Sequence, residues 1–498
     1  MPSGRLRSLG SLRIMARDER SVTPQSEDFS AWYNEVVFRA DLVERGPVRG
    51  SMVIKPYGYR IWELLQADLD GRIKATGHQN AYFPLLIPQS YMEREAEHVE
   101  GFAPELFTVT HAGGKELEEP LVIRPTSETI IGEMMAKWIS SHRDLPLLLN
   151  QWSNVLRWEM RPRMFLRTSE FLWQEGHTAH ATEADALAET MLALSLYRDV
   201  SVEIAAMATV PGEKTPGERF AGAQRTFTIE AMMRDGRALQ SGTSHFMGTN
   251  FAGAFGITFT SENGTADLCH TTSWGMSTRM VGGLIMTHGD DKGLVLPPAL
   301  APYQVVIVPI GRSEQAEATS SAATELAAAL QRAGIRSHVD DRPQLSPGFK
   351  FNDWEMRGVP IRLELGPRDL ATGTALMSRR LSYPQPDAGK VAIPLDSAAE
   401  LLAAELAAFQ AMLTQRAADF RDEHTVVVND WPDFVAAVAV GWALALQCGE
   451  QACEDEIKAE TTATARCIPL AGEPEQGVCI RCGRPSAYGK RVIFGRAY

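Results

Sequence analysis

Residue types that together handle phosphate and a planar base converge on one short stretch. Arg157-Trp158-Glu159 is followed by a basic loop through Arg161 and Arg163, and then by Arg167-Thr168-Ser169-Glu170-Phe171-Leu172-Trp173-Gln174-Glu175-Gly176-His177. If both flanks are strands of a hairpin, their period of two puts Arg157 and Glu159 on one face. It puts Arg167, Ser169, Phe171, Trp173, Glu175 and His177 together on the partner strand. Guanidinium groups bind phosphate bidentately, an aromatic ring stacks on a base, and carboxylates accept from an amino group or hold magnesium. A nucleoside triphosphate fits that set. A salt-bridged sheet face with Phe171 and Trp173 in the core fits it too, and the pattern alone leaves both open.

A second group is built on thiols. Cys448-x4-Cys453 and Cys479-x2-Cys482 have the spacings of a tetrahedral zinc site. Cys467 stands outside both pairs and reads as a small buried apolar residue. Six cysteines in 498 residues are too few for a disulfide scaffold, so a reducing compartment with metal-held thiolates is expected. His177, His180, Cys269 and His270 show no metal-ligand spacing.

The elements that must position these groups follow from the pattern of the whole chain. Its length suggests about three domains, and 44% hydrophobic with 22% charged residues is the composition of an ordinary globular protein. A net charge of −13 does not favour non-specific adhesion to nucleic acid, although a local basic surface could still bind an RNA. No apolar run is long enough to cross a bilayer, so no membrane is expected; Phe434 to Leu446 reads as a buried helix. Neither GxxxxGK[ST] nor GxGxxG occurs. Residues 1–17 carry Arg5, Arg7, Arg13 and Arg17 with no acid, superficially like a transit peptide. Met15, however, begins what looks like an ordinary cytosolic start, so 1–20 is read as a disordered or over-extended leader.

From Ser30 to about Gly77 the apolar residues have helical spacing, and Ala81 to Pro88 reads as a short buried strand. Residues 121–300 alternate short β-like runs with glycine turns, indicating an antiparallel sheet. After Pro297-Pro298 the pattern changes to strand 305–309, helix 314–333, strand 335–339, helix near 349–357 and strand 361–365, a separate α/β domain. A helical stretch at about 397–419 leads into the cysteine-containing tail.

RxE, a loop, then RxxxFxxxE resembles motif 2 of class II aminoacyl-tRNA synthetases. Pro84 resembles the motif 1 proline. Ser273-Trp274-Gly275-Met276-Ser277-Thr278-Arg279 followed by His288-Gly289-Asp290-Asp291-Lys292-Gly293-Leu294 resembles motif 3. With Arg124-Pro125-Thr126-Ser127-Glu128 and Gln240-Ser241-Gly242-Thr243-Ser244-His245, the chain resembles prolyl-tRNA synthetases of the archaeal and eukaryotic-like form. The resemblance implies an α+β protein: a class II catalytic domain with an antiparallel sheet (21–300), an α/β anticodon-binding domain (301–412) and a C-terminal zinc-binding α+β domain (413–498).

It also implies roles. Arg157 would bridge the amino-acid carboxylate and the α-phosphate, while Glu159, Arg167 and Thr168 would contact ATP, with Phe171 under the adenine. Gln240 and Thr243 would lie on the ATP and Mg2+ side, and Ser277 with Arg279 would hold the triphosphate. Thr126 and Glu128 would receive the imino group of proline, with His245 and Trp173 lining the pocket; for Thr126 a helix N-cap is the rival reading. Arg342, Lys350 and Glu355 are anticodon candidates, although an ordinary amphipathic helix accounts for each one separately. Ser169 and Thr271 depart from the family pattern and put pocket shape in doubt.

The implied activity is the ATP-dependent ligation of proline to tRNA(Pro) by a cytoplasmic homodimer holding structural Zn2+. The stretch between Gly176 and His270 is too short for an inserted editing domain. Two other readings stay open: a proline-activating enzyme with another acceptor, and a catalytically silent RNA-binding paralogue.

Overall fold

The computed structural model describes residues 22–92, 106–311, 314–382 and 389–498. The expected leader, 1–20, lies outside the described residues.

Two apolar faces at the N-terminal end pack against the back of a large sheet. Helix α1 (Phe29–Arg39) starts at Asp28, whose side chain accepts from the Ala31 N–H, and buries Trp32, Tyr33, Val36 and Val37. Helix α2 (Pro56–Ala75) has Pro56 at its first position, where the missing N–H costs no helical hydrogen bond. It buries Ile61, Trp62, Leu65, Leu69 and Ile73. The single helical run expected from Ser30 onward is therefore two helices. Between them, strands Val43–Arg45 and Met52–Ile54 pair as a hairpin, because Gly46-Pro47 and Gly50, at φ +82°, interrupt the helix with a turn. Likewise, only Leu86–Pro88 is a strand within the expected 81–88, with Gln79–Asn80 a separate short strand just before it. Tyr82 there is 74% exposed.

The central sheet has eleven strands among the described residues. We number them in chain order: β1 (Gln79–Asn80), β2 (Leu147–Leu156), β3 (Glu170–His180), β4 (Val210–Glu213), β5 (Arg225–Met232), β6 (Ala238–Gly248), β7 (His270–Ser277), β8 (Thr425–Val427), β9 (Trp442–Ala445), β10 (Thr464–Pro469) and β11 (Val492–Gly495). Their spatial order is β8-β9-β11-β10-β4-β5-β6-β7-β3-β2-β1. From β10 through β4, β5, β6, β7 and β3 to β2 every pairing is antiparallel. Helices α3 (Glu128–Trp138), α4 (Glu183–Asp199) and α5 (Arg279–His288) cover this part.

The C-terminal segment does not stand apart. Its strand β10 pairs with β4, Ile468 opposite Glu213, so the tail extends the same sheet. The apolar run Phe434–Leu446 is not one helix: a helix at Trp431–Val440 ends at Gly441 and strand β9 follows. A side chain at Gly441 would meet the His424 carbonyl at 2.2 Å. No described helix is long and apolar enough to cross a membrane.

Residues 305–394 form a five-stranded sheet in the order 337–339, 305–309, 361–365, 374–379, 391–394, with the first three strands parallel. The fully buried run Val305–Val308 is typical of a parallel strand covered on both faces. The long helix Ala398–Glu423 packs Leu402 and Leu406 on this sheet and Phe409 and Leu413 on Ala206 and Val295. The domain limit expected at 412 thus falls inside one continuous helix.

Candidate active site

Two adjoining cavities open on the sheet face formed by β3, β5, β6 and β7. The first, about 220 Å³, is lined by Thr126, Glu128, Trp173, Gln240, Thr243 and His245 among others. The second, about 200 Å³, is lined by Glu159, Arg167 and Thr168. Arg157, Phe171, Ser277 and Arg279 line both. All the residues assigned above to proline or ATP therefore fall on one two-lobed hollow.

Local structure explains how each side chain gets there. Strand β2 ends at Leu156 and β3 begins at Glu170, so Arg157, Glu159, Arg167 and Thr168 stand on the connecting loop beyond the paired strands. Arg157 is fixed by Nε donating to the Pro125 carbonyl at 2.9 Å. Its guanidinium lies 5.4 Å from the Phe171 centroid and 5.7 Å from that of Trp173. Within β3 the period of two holds: Phe171, Trp173, Glu175 and His177 all line the first lobe. It fails for Ser169, which lies before the strand, is buried against Gly50 and lines neither lobe.

Thr126 does not cap α3. Ser127 is the N-cap and makes no side-chain capping bond; Thr126 Oγ1 donates instead to the Glu128 carboxylate. The Ser127 hydroxyl donates to Glu175 Oε1 at 2.6 Å, as does Gln151 Nε2 at 2.7 Å, while Glu175 Oε2 meets His177 Nε2 at 3.0 Å. Burial alone would lower the His177 pKa, but this bond and the Glu175 charge outweigh it and raise the value. His245 is different: burial pushes it down to about 4, and its ring stacks on Phe220 at 4.4 Å. Phe220 comes from an irregular loop and has no period to betray it. The positions of Glu175 and His177 were readable from alternation, but the carboxylate's anchoring role was not.

Three arginines make the junction strongly positive. Burial, together with Arg157 and Arg167, lowers the Arg279 pKa to about 10; the group remains a cation at neutral pH and poorly compensated. An anion is what such a site lacks.

In the C-terminal segment, the sulfurs of Cys448, Cys453, Cys479 and Cys482 lie within 4.8 Å of one another, with Cys448 and Cys482 at 3.7 Å. A tetrahedral site with Zn–S of ~2.3 Å has a sulfur–sulfur edge of roughly 3.8 Å, so the four thiols fit a metal ion.

The anticodon candidates sit elsewhere, on the 305–394 unit and its helix Pro347–Met356. Arg342 donates to both oxygens of Asp340 and to Asp353. Lys350 is buried and donates to the Asp340 carbonyl at 2.8 Å. Glu355 pairs with Lys292 at 3.1 Å.

An antiparallel sheet carrying an arginine-rich, two-lobed site, followed by an α/β unit, defines a class II aminoacyl-tRNA synthetase. Residues 107–288 match the tRNA synthetase class II core domain (G, H, P, S and T), 304–405 the anticodon binding domain, and 431–498 the prolyl-tRNA synthetase C-terminal domain. A proline–tRNA ligase 2 of Rhodococcus jostii is 71% identical over 97% of this chain and 100% of its own. A proline–tRNA ligase of Mycobacterium leprae is 62% identical over the same shares, and one of Deinococcus radiodurans is 50% identical over 96% of each. The chain belongs to the proline–tRNA ligase family, an enzyme family whose substrates are proline, ATP and tRNA.

Proposed function

We propose that the two-lobed hollow joins L-proline to ATP as prolyl-adenylate, releasing pyrophosphate, and that the prolyl group then passes to the 3′-terminal adenosine of tRNA(Pro). The observation that carries this reading is the placement of Arg157 and Arg279 on the wall shared by the lobes. A carboxylate held in the first lobe and a triphosphate entering from the second meet there.

The first lobe suits proline. A secondary ammonium has two N–H donors; Thr126, its own hydrogen committed to Glu128, presents oxygen lone pairs beside that carboxylate. Trp173 and His245, kept uncharged by its burial, wall the ring. The attacking carboxylate is already ionised and needs no general base, so the residues act by positioning and charge stabilisation. Arg157 orients the carboxylate and the α-phosphate, and Arg279 with Ser277 takes the triphosphate. Glu159, Arg167 and Thr168 hold the nucleotide, with Phe171 under the adenine. Gln240 and Thr243 share the first lobe with Arg157, Ser277 and Arg279, and their neutral oxygens suit magnesium bound chiefly through phosphates. There the ion would supply charge neutralisation.

The remaining assignments extend the reading. Zn2+ is the ion for the four cysteines, by the all-thiolate donor set. Arg342 and Glu355 belong to the anticodon-reading face, and buried Lys350 supports it from behind through the Asp340 carbonyl. The enzyme is of the archaeal and eukaryotic-like form, since residues between Gly176 and His270 supply helix α4, strands β4 to β6 and their connections. Its units are 21–300, 301–412 and 413–498, joined through the helix that crosses 412. It works as a cytoplasmic homodimer, with exposed Tyr82 and Leu86 beside Pro84 as part of the partner surface.

Proline-dependent exchange between ATP and pyrophosphate, followed by charging of tRNA(Pro), tests the reading. Exchange without charging would point to another acceptor; neither would point to a silent RNA-binding protein.

A further inference from the structure

Gln240 and Thr243 are three residues apart on β6, which in an unbroken strand would send them to opposite faces. Both nevertheless line the first lobe. The reason is a bulge: Thr228 pairs with Thr243 and Ile229 with Gly242, but the next residue, Glu230, pairs with Gln240, leaving Ser241 extra. Bulges next to active sites re-aim side chains in this way.

Glu230, the residue at which the register shifts, is fully buried. A buried carboxylate stays ionised only if it is paired, and here the partners come from three strands or their ends. Lys214 Nζ donates to Oε1 at 2.9 Å and Thr228 Oγ1 to the same oxygen at 3.1 Å. Arg466, on β10 of the C-terminal segment, donates from Nε to Oε2 at 3.1 Å and from Nη2 to both oxygens, at 3.0 and 3.2 Å. The Arg466 and Lys214 charges hold the Glu230 carboxyl below its ordinary range despite burial.

We infer that Arg466 is a positioning residue for the phosphate side of the site: by clamping Glu230 it holds the bulge that turns Gln240 and Thr243 to the same face of the first lobe, which they share with Arg157, Ser277 and Arg279. The C-terminal segment thus takes part in the first chemical step without touching substrate. This rests on the reading of Gln240 as a nucleotide-side residue, and the test separates the two.

The experiment is steady-state pyrophosphate exchange with the full-length enzyme, varying ATP and proline independently, on Arg466→Met, Arg466→Lys, Thr228→Val and, as a control, Gln240→Ala. The expected result is a rise of fivefold or more in KM for ATP in Arg466→Met, with KM for proline within twofold and metal content unchanged. Arg466→Lys recovers part of the loss, since one cationic donor still reaches Glu230. Thr228→Val, nearly isosteric and charge-neutral, shows a smaller ATP-specific rise and serves if Arg466→Met does not fold. A lower active fraction or melting temperature with both KM values unchanged, while Gln240→Ala raises KM for ATP, overturns the role of Arg466 alone. No effect of Gln240→Ala overturns the reading of Gln240 and the inference with it.

Discussion

Arg157 lies over the ring of Phe171, 5.4 Å from its centroid, while its Nε donates to the carbonyl of Pro125. The side chain is therefore held both by stacking and by a hydrogen bond before any substrate arrives. Arg157→Ala should lower pyrophosphate exchange by about 10²–10³-fold, the scale seen when one pre-organised donor to a developing charge is removed. Arg157→Lys should recover little, because an ammonium keeps the charge but neither the plane nor the fork. Exchange within tenfold of wild type in the alanine variant would refute the assignment.

Ser169 gives the opposite expectation. Its hydroxyl is buried without a hydrogen-bond partner, and an unpaired buried polar group costs stability. Ser169→Ala should be neutral or slightly stabilising, within roughly 0.5 kcal/mol of wild type or better, with unchanged KM for proline and ATP. A several-fold shift in either KM would show that the position reaches the pocket after all.

Acid should weaken the fold through two buried imidazoles. Burial pushes His288 down to about 3 and His245 down to about 4, from an ordinary 6.5. Below pH 6.5 the unfolded chain takes up protons that the folded one refuses, so stability present above that pH is lost as it falls toward 4. The loss is roughly 2 kcal/mol per group at pH 5. His288→Asn, which keeps a donor toward the Ala205 carbonyl that the ring now meets at 2.9 Å, should flatten the pH dependence of the denaturation midpoint between pH 7 and 5. An identical slope in wild type and variant would remove His288 from the account.

What could be read from the sequence follows the range of the interactions involved. Strand 305–309 is legible because a covered parallel strand is a continuous apolar run bounded by turns, and strand 361–365 because Ile361, Leu363 and Leu365 alternate with Arg362 and Glu364. Phe171, Trp173, Glu175 and His177 are legible because β3 alternates without interruption. Ser169 is misplaced by the same rule, since the strand begins one residue later. The Ser241 bulge, the pairing of β10 with β4 and the clamp of Arg466 on Glu230 join residues far apart in the chain or break a local period. No window of sequence contains them.

The four cysteines should hold one metal ion per chain, and Cys479→Ser should lose it. Binding to a site that the unfolded chain lacks adds directly to folding free energy, so chelation should lower the melting temperature of the C-terminal segment first. Protein prepared without chelator and found metal-free by elemental analysis would count against the site, and full occupancy in Cys479→Ser against this ligand set.

The pocket should also admit alanine. On the proposed reading, walls set by Trp173 and His245 would exclude rings and side chains larger than proline, but a smaller amino acid would still fit. Each missing methylene costs only ~1–3 kcal/mol of transition-state binding, so exchange with alanine should be measurable at high concentration. Correction after transfer needs a second, hydrolytic site. Between Gly176 and His270 the described chain is taken up by the end of β3, helix α4, helical turns at 200–204 and 216–218, strands β4, β5 and β6, a short helix at 250–255, and two short strands at 258–260 and 266–268. Alanyl-tRNA(Pro) given to the purified enzyme should therefore decay at the rate seen in buffer. Rapid hydrolysis that depends on enzyme concentration, and that survives Arg157→Ala, would place a deacylating site in this chain and overturn its assignment to the form without editing.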